Sequence, residues 1–217
     1  MTDTARAPMW YTATGTLRHC RIDAPKALRE SVDTLIENTA IRSSEFGWRC
    51  RGVTIRRSMI ESDYLLFESR NLEISRLRMS GKYSFQYVEQ ALIEDSVLDT
   101  KDALWHAKDV TLRGCEIRSE YLGWYSDGLT LIDCHITGSQ PLCYCKNLRL
   151  MNCTMGNADL AFEYSDVDAD VRGAIQSVKN PRSGCIRADH IGEIIREGSV
   201  MDTDCRIEIR SDAPAPY

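Results

Sequence analysis

The sequence predicts an all-β fold: a single-stranded right-handed parallel β-helix, a solenoid with about 19 residues per coil. Three observations predict it. Apolar residues recur at that spacing in unbroken columns: Val53, Leu72, Ala91, Val110, Leu129, Leu148 and Val167 form one. Two places on come Ile55, Ile74, Ile93, Leu112, Leu131, Leu150 and Ala169, and seven places on Ile60, Met79, Leu98, Ile117, Ile136 and Met155. Within each coil the apolar residues alternate with period two, the mark of half-buried strands. Turn-forming residues also hold fixed columns between the strands.

The elements follow in order around one coil. Leu129-Thr130-Leu131 and Leu148-Arg149-Leu150 exemplify the first strand. Asp95, Gly114, Asp133 and Asn152 occupy the corner after it. The second strand holds Cys115 with Ile117, Cys134 with Ile136 and Cys153 with Met155. A third apolar segment, such as Leu104-Trp105 or Leu142-Cys143, completes the coil. A second corner precedes the next first strand: Gly52, Asn71, Gln90, Asp109, Gly128, Asn147 and Asp166. Right-handed crossover is the rule for parallel strands, and nineteen is not a multiple of the hexapeptide unit of left-handed helices. Leu17 and Ile36 precede Ile55 in column, as Ile22 and Ile41 precede Ile60. The reading is an N-terminal lead-in over 1–14, coils over 15–170, closing strands and a cap over 171–210, and a disordered tail over 211–217. About eight coils make a rod roughly 40 Å long at strand spacing. Arg70, Glu89, Lys108, Asp127 and Lys146 alternate in sign down one outer column and read as a ladder that fixes register.

Composition bounds the function. Apolar residues at 43% and charged residues at 27% suit an ordinary soluble protein. A net charge of −5, with bases interleaved among acids, argues against nucleic acid as partner. Met1 to Tyr11 lacks the pattern of a secretory signal, and no apolar run is long enough to span a bilayer. Nine cysteines in such a chain read as reduced thiols, so a cytoplasmic location with no membrane partner is expected.

Several segments carry a family resemblance. Tyr121-Leu-Gly-Trp-Tyr125, Gln140-Pro-Leu-Cys-Tyr-Cys145 and Ala161-Phe-Glu-Tyr164 are similar to a family of uncharacterised bacterial proteins. Ser177-Val-Lys-Asn-Pro-Arg-Ser-Gly184 and Ile191-Gly-Glu-Ile-Ile195 belong to the same likeness. That family, filed as a domain of unknown function, resembles the pectin-lyase-like single-stranded right-handed β-helix. The resemblance implies a fold and brings no catalytic or binding residues.

The third segment is where chemistry is sought. One column reads Phe67, Gln86, Trp105, Trp124, Cys143, Phe162, and its neighbour Glu68, Tyr87, His106, Tyr125, Tyr144, Glu163. In a regular strand only one of two adjacent columns faces inward, so a row of aromatics is left outside. Trp105, Trp124, Tyr125, Tyr144 and Glu163 are the candidate ligand contacts, since aromatic faces stack on flat ligands such as sugars. The competing reading is a structural stack that stiffens the solenoid. His106 and Glu163 are the weak candidates for acid–base catalysis, although a lone strand histidine more often serves a structural role. Acids in one column reach glycosidase spacing automatically, so that distance has no specificity here. Cys115, Cys134 and Cys153 read as a stacked core. The cysteine spacings fit no metal site, and no cofactor is expected. Two functions follow: a carbohydrate- or protein-binding scaffold with an exposed aromatic stripe, homo-oligomeric as one option, or a carbohydrate-active lyase or hydrolase. Short coils without long inserted loops favour the first.

Overall fold

Isoleucine, leucine and valine at alternate positions fix each strand, and the computed structural model shows where those faces meet. It describes residues 8–210, and every regular element among them is a β-strand. Parallel pairings link successive coils into a solenoid of about ten turns. At strand spacing that gives roughly 48 Å of rod, longer than the eight coils counted from sequence. The 1–14 lead-in falls partly outside the described residues and the 211–217 tail wholly outside them.

Register follows the nineteen-residue columns. Ile55, Ile74, Ile93, Leu112, Leu131 and Leu150 stand directly above one another, each paired with its neighbour. Ile60, Met79, Leu98, Ile117, Ile136 and Met155 form a parallel column on the second face. All of these side chains are buried, and burying each contributes about 1.5–3 kcal/mol. A one-residue slip would turn every such column to solvent.

The corners are built from left-handed residues, at least four to a coil from Met9 to Asn152. Leu104 (φ 61°), His106 (54°), Asp109 (52°) and Gly114 (60°) mark one coil, and Gly123, Tyr125, Gly128 and Asp133 repeat them. Both corner columns expected from the sequence have this conformation, from Gly52 to Asn147 and from Asp95 to Asn152. L-residues enter it at a cost, so each needs outside support. Cross-coil hydrogen bonds supply it: His106 N donates forward to Trp124 O (2.9 Å) while Leu104 N donates back to Ser84 O (2.9 Å).

Two internal columns of small polar residues tie corners together. In the first, Ser69 Oγ accepts from Cys50 N (2.9 Å) and donates to Gly47 O (2.6 Å). Cys145 occupies the same column, its Sγ donating to Gly123 O at 3.1 Å. In the second, Ser58 accepts from Thr39 N (3.2 Å) and Ser96 from Leu77 N (3.0 Å). Cys115, Cys134 and Cys153 continue it, each thiol bonding the carbonyl two residues back. These cysteines are therefore buried like small hydrophobes but substitute for hydroxyls. Burial pushes the Cys50 thiol up to about 11 and the Cys145 thiol up to about 12. All nine cysteines are free.

Three expectations are corrected. The register slips on the third face, where Cys145 N meets Ser165 Oγ, twenty residues on, while Leu148–Val167 and Leu150–Ala169 keep the nineteen-residue columns of the first strand. Tyr164 and Phe162 therefore take the left-handed positions above Tyr144 and Leu142, and Glu163 leaves the aromatic column. Asp166 is no corner; it opens the fourteen-residue strand Asp166–Lys179 and bonds Arg182 and Ser183 instead. Finally, the alternating outer row is stacked in register, but its side chains close no ion pair among the described residues. Ion pairs occupy other columns, such as Arg49–Glu68 (2.6 Å), Lys101–Glu120 (3.2 Å) and Arg113–Glu94 (3.0 Å). Asp127 bonds the Asn147 amide at 2.8 Å instead.

Candidate functional site

The third face begins as a small parallel sheet, Lys26–Arg29, Glu45–Trp48 and Tyr64–Leu65, and becomes a run of turns from Tyr83 onward. Two left-handed residues one apart replace the regular strand. Alternation therefore fails there: in Leu104-Trp105-His106-Ala107, Leu104 and Ala107 are buried, Trp105 is half-buried and His106 exposed. Half-buried Trp105 and Trp124 thus reach the surface beside exposed His106 and Tyr125, an arrangement that strand periodicity excludes.

The outer column is a continuous ridge. Tyr87, His106, Tyr125 and Tyr144 stack with centroids 4.8, 5.1 and 4.8 Å apart and planes within 13° of parallel. Tyr164 extends it at 5.8 Å, and its hydroxyl accepts from Val200 N at 3.1 Å. Tyr87 and Tyr125 are each 46% exposed. Beside the ridge, Trp105 and Trp124 stack at 5.4 Å and 5°. Their indole N–H groups donate to Tyr121 O and Gln140 O, both at 2.7 Å, which pins the rings to the next coil. Trp48 is anchored the same way to Tyr64 O (3.1 Å).

These distances decide which part of each ring faces outward. Coplanar rings laid side by side need roughly 7 Å between centroids before their edges clear. Parallel rings at 4.8–5.1 Å must lie face on face. The ridge thus covers much of its own ring faces and leaves mainly ring edges outward.

The structure brings Tyr125, Tyr144, Trp105, Trp124 and His106 together, and sets Glu163 apart. Glu163 is nearly buried and pairs with Lys179 at 2.9 Å. It lies three coils from His106, about 14 Å along the axis at strand spacing, so the two cannot share one substrate atom. His106 is sandwiched between Tyr87 and Tyr125. Burial, with Glu163 nearby, raises the Tyr144 phenol above its ordinary value and keeps it protonated. Sequence reasoning missed Tyr87 and Tyr164 as ridge members. Tyr87 was visible in the column; Tyr164 was hidden by the extra residue before it. The polar hollow at the foot of the ridge is lined by Arg49, Arg51, Glu68, Arg70 and Tyr87, among others. Among the described residues no cluster of three or more His, Cys, Asp or Glu side chains could hold a metal ion. No helix there is long and apolar enough to cross a membrane.

A family model described as "Protein of unknown function (DUF3737)" matches residues 1–209. The chain belongs to that family. A search of the curated proteins returns no match. DUF3737 membership thus leaves the ridge without an assigned role.

Proposed function

We propose that this DUF3737 protein is a non-catalytic binding scaffold whose contact surface is the Tyr87–Tyr164 ridge, and that its partner is a protein. The observation that carries this is the face-on-face stacking of the ring column. A sugar platform needs open ring faces, and here the rings largely cover one another. Ring edges, rigid and low in side-chain entropy, suit a protein interface, where tyrosine and tryptophan are enriched. A rim of exposed Glu89, Lys108 and Lys146 runs alongside, the polar border such interfaces carry. Catalysis on an oligosaccharide finds less support, because His106 and Glu163 stand apart.

The test is site-specific photo-crosslinking of the full chain in its native cell. A photoreactive phenylalanine replaces Tyr125 on the ridge or, as control, Met151, which is 53% exposed away from it. Discrete protein adducts at Tyr125 and not at Met151 are expected. Equal labelling at both sites, or saturable binding of a glycan with turnover in a lyase assay, would overturn the reading.

A further inference from the structure

We infer that the ridge pairs with the same ridge on a second copy of this chain, the rods lying antiparallel; this rests on the ridge being a protein-contact surface. What selects the partner is the charged row beside the rings. Glu89, Lys108, Asp127 and Lys146 stand one above another at strand spacing, yet close no ion pair with each other among the described residues. Among the described residues only Asp127 is engaged, through one oxygen, by the Asn147 amide. The row runs two residues beyond the ridge along all four coils, so anything seated on the rings meets these charges.

Consider two copies face to face. A two-fold axis lying in the interface and perpendicular to the rods turns them antiparallel and lays ridge on ridge and row on row. If the axis passes through a coil, every charge faces its own kind. If it passes between the Lys108 and Asp127 coils, Lys108 faces Asp127 of the second copy and Glu89 faces Lys146. The rings then meet as His106 with Tyr125 and Tyr87 with Tyr144. A strictly alternating row is self-complementary in this register, and the isologous arrangement makes each contact twice. Shifting the axis one coil toward the N-terminus sets Lys146 against Arg51 and loses that match. Four or five coils span only about 20–25 Å, so the contact falls below the ~800 Å² per partner of a standard interface. The dimer is accordingly weak and favoured at low salt.

Sedimentation equilibrium of the full chain tests this, from about 10 μM to about 1 mM and at two ionic strengths, a range suited to a small interface. Wild type should dimerise, and added salt should weaken the dimer. Asp127→Lys should raise the dissociation constant about tenfold or more, since symmetry converts two attractions into two repulsions. Combining it with Lys108→Asp should restore affinity to within about threefold, because position 108 again faces an opposite charge. Inside each rod that double variant sets Glu89 beside an acid and Lys146 beside a base. Restored dimerisation therefore cannot arise from better stacking within the monomer. Thermal melts of all variants report folding separately. A wild type that is monomeric throughout, a double variant no tighter than the single one, or dimers indifferent to both changes would each overturn the proposal. Ridge-specific adducts to a different protein, with a monomeric wild type, would overturn the second copy as partner and leave the contact surface standing. Absence of any ridge-specific adduct would remove both.

Discussion

Removing one hydroxyl from the interior should cost this protein more than removing a methyl group would suggest. Ser69 is 1% exposed, accepts the Cys50 N–H at 2.9 Å and donates to Gly47 O at 2.6 Å. Ser69→Ala leaves a buried N–H without its partner, which costs about 1–3 kcal/mol, and forfeits a second bond worth about 1 kcal/mol. The sum is about 2–4 kcal/mol. For a chain of this size each kcal/mol lowers Tm by about 2–4 °C, so a fall of roughly 5–15 °C is expected. Ser69→Cys should recover most of it. Cysteine already fills this column at Cys50 and Cys145, where a thiol reaches the carbonyl of the preceding coil. Thermal and urea unfolding of the three proteins by circular dichroism would give the values. A loss under about 0.5 kcal/mol in Ser69→Ala, the size of an ordinary surface change, would refute the role of the ladder. So would Ser69→Cys proving as harmful as alanine.

Two further outcomes follow from titratable groups. The Arg182 guanidinium, aided by the Ser183 hydroxyl, holds the Asp166 carboxyl below the usual carboxylate range. A depressed carboxylate contributes stability above the unfolded aspartate value and loses it as pH falls through the lower folded value. The Asp166 side chain is 31% exposed, so the effect stays below about 1 kcal/mol. Urea midpoints measured down a pH series to about 3 should fall less steeply in Asp166→Asn than in wild type, and equal slopes would count against the pair. For the thiols, Cys20 is half-buried and the other eight are buried. Iodoacetamide at about pH 8 should add one adduct to the native chain and nine after denaturation, because burial shields the other eight thiols from the reagent. Modification of Cys50 or Cys145 as fast as Cys20 would contradict their placement.

Much of the rod was legible because period-two alternation and a fixed coil length are both written in aliphatic residues. Ile74 above Ile93 and Ile117 above Ile136 could be read directly. The corners were legible at Gly114 and Asn147, residues that tolerate left-handed backbone. They were not legible at Leu104, His106 or Tyr125, types that rarely adopt it, and there neighbouring coils impose the conformation. That is why alternation misjudged the aromatic face. The inserted residue between Cys145 and Ser165 was invisible because Phe162, Glu163 and Tyr164 fit either register by type. The charged row showed its signs in sequence but not its geometry, since whether Lys108 touches Asp127 depends on side-chain direction and on Asn147.

Because at least four residues of each coil between Met9 and Asn152 adopt a left-handed backbone, nearly all of them types that would not choose it alone, no winding there can stand by itself. Each is licensed by the carbonyls and hydroxyls of the layers on either side. Length in the regular part of the molecule is thus quantised. Adding or excising one whole repeat between Gly52 and Asn147 would leave every survivor with a suitable neighbour, whereas losing a single residue there would misalign all that follows.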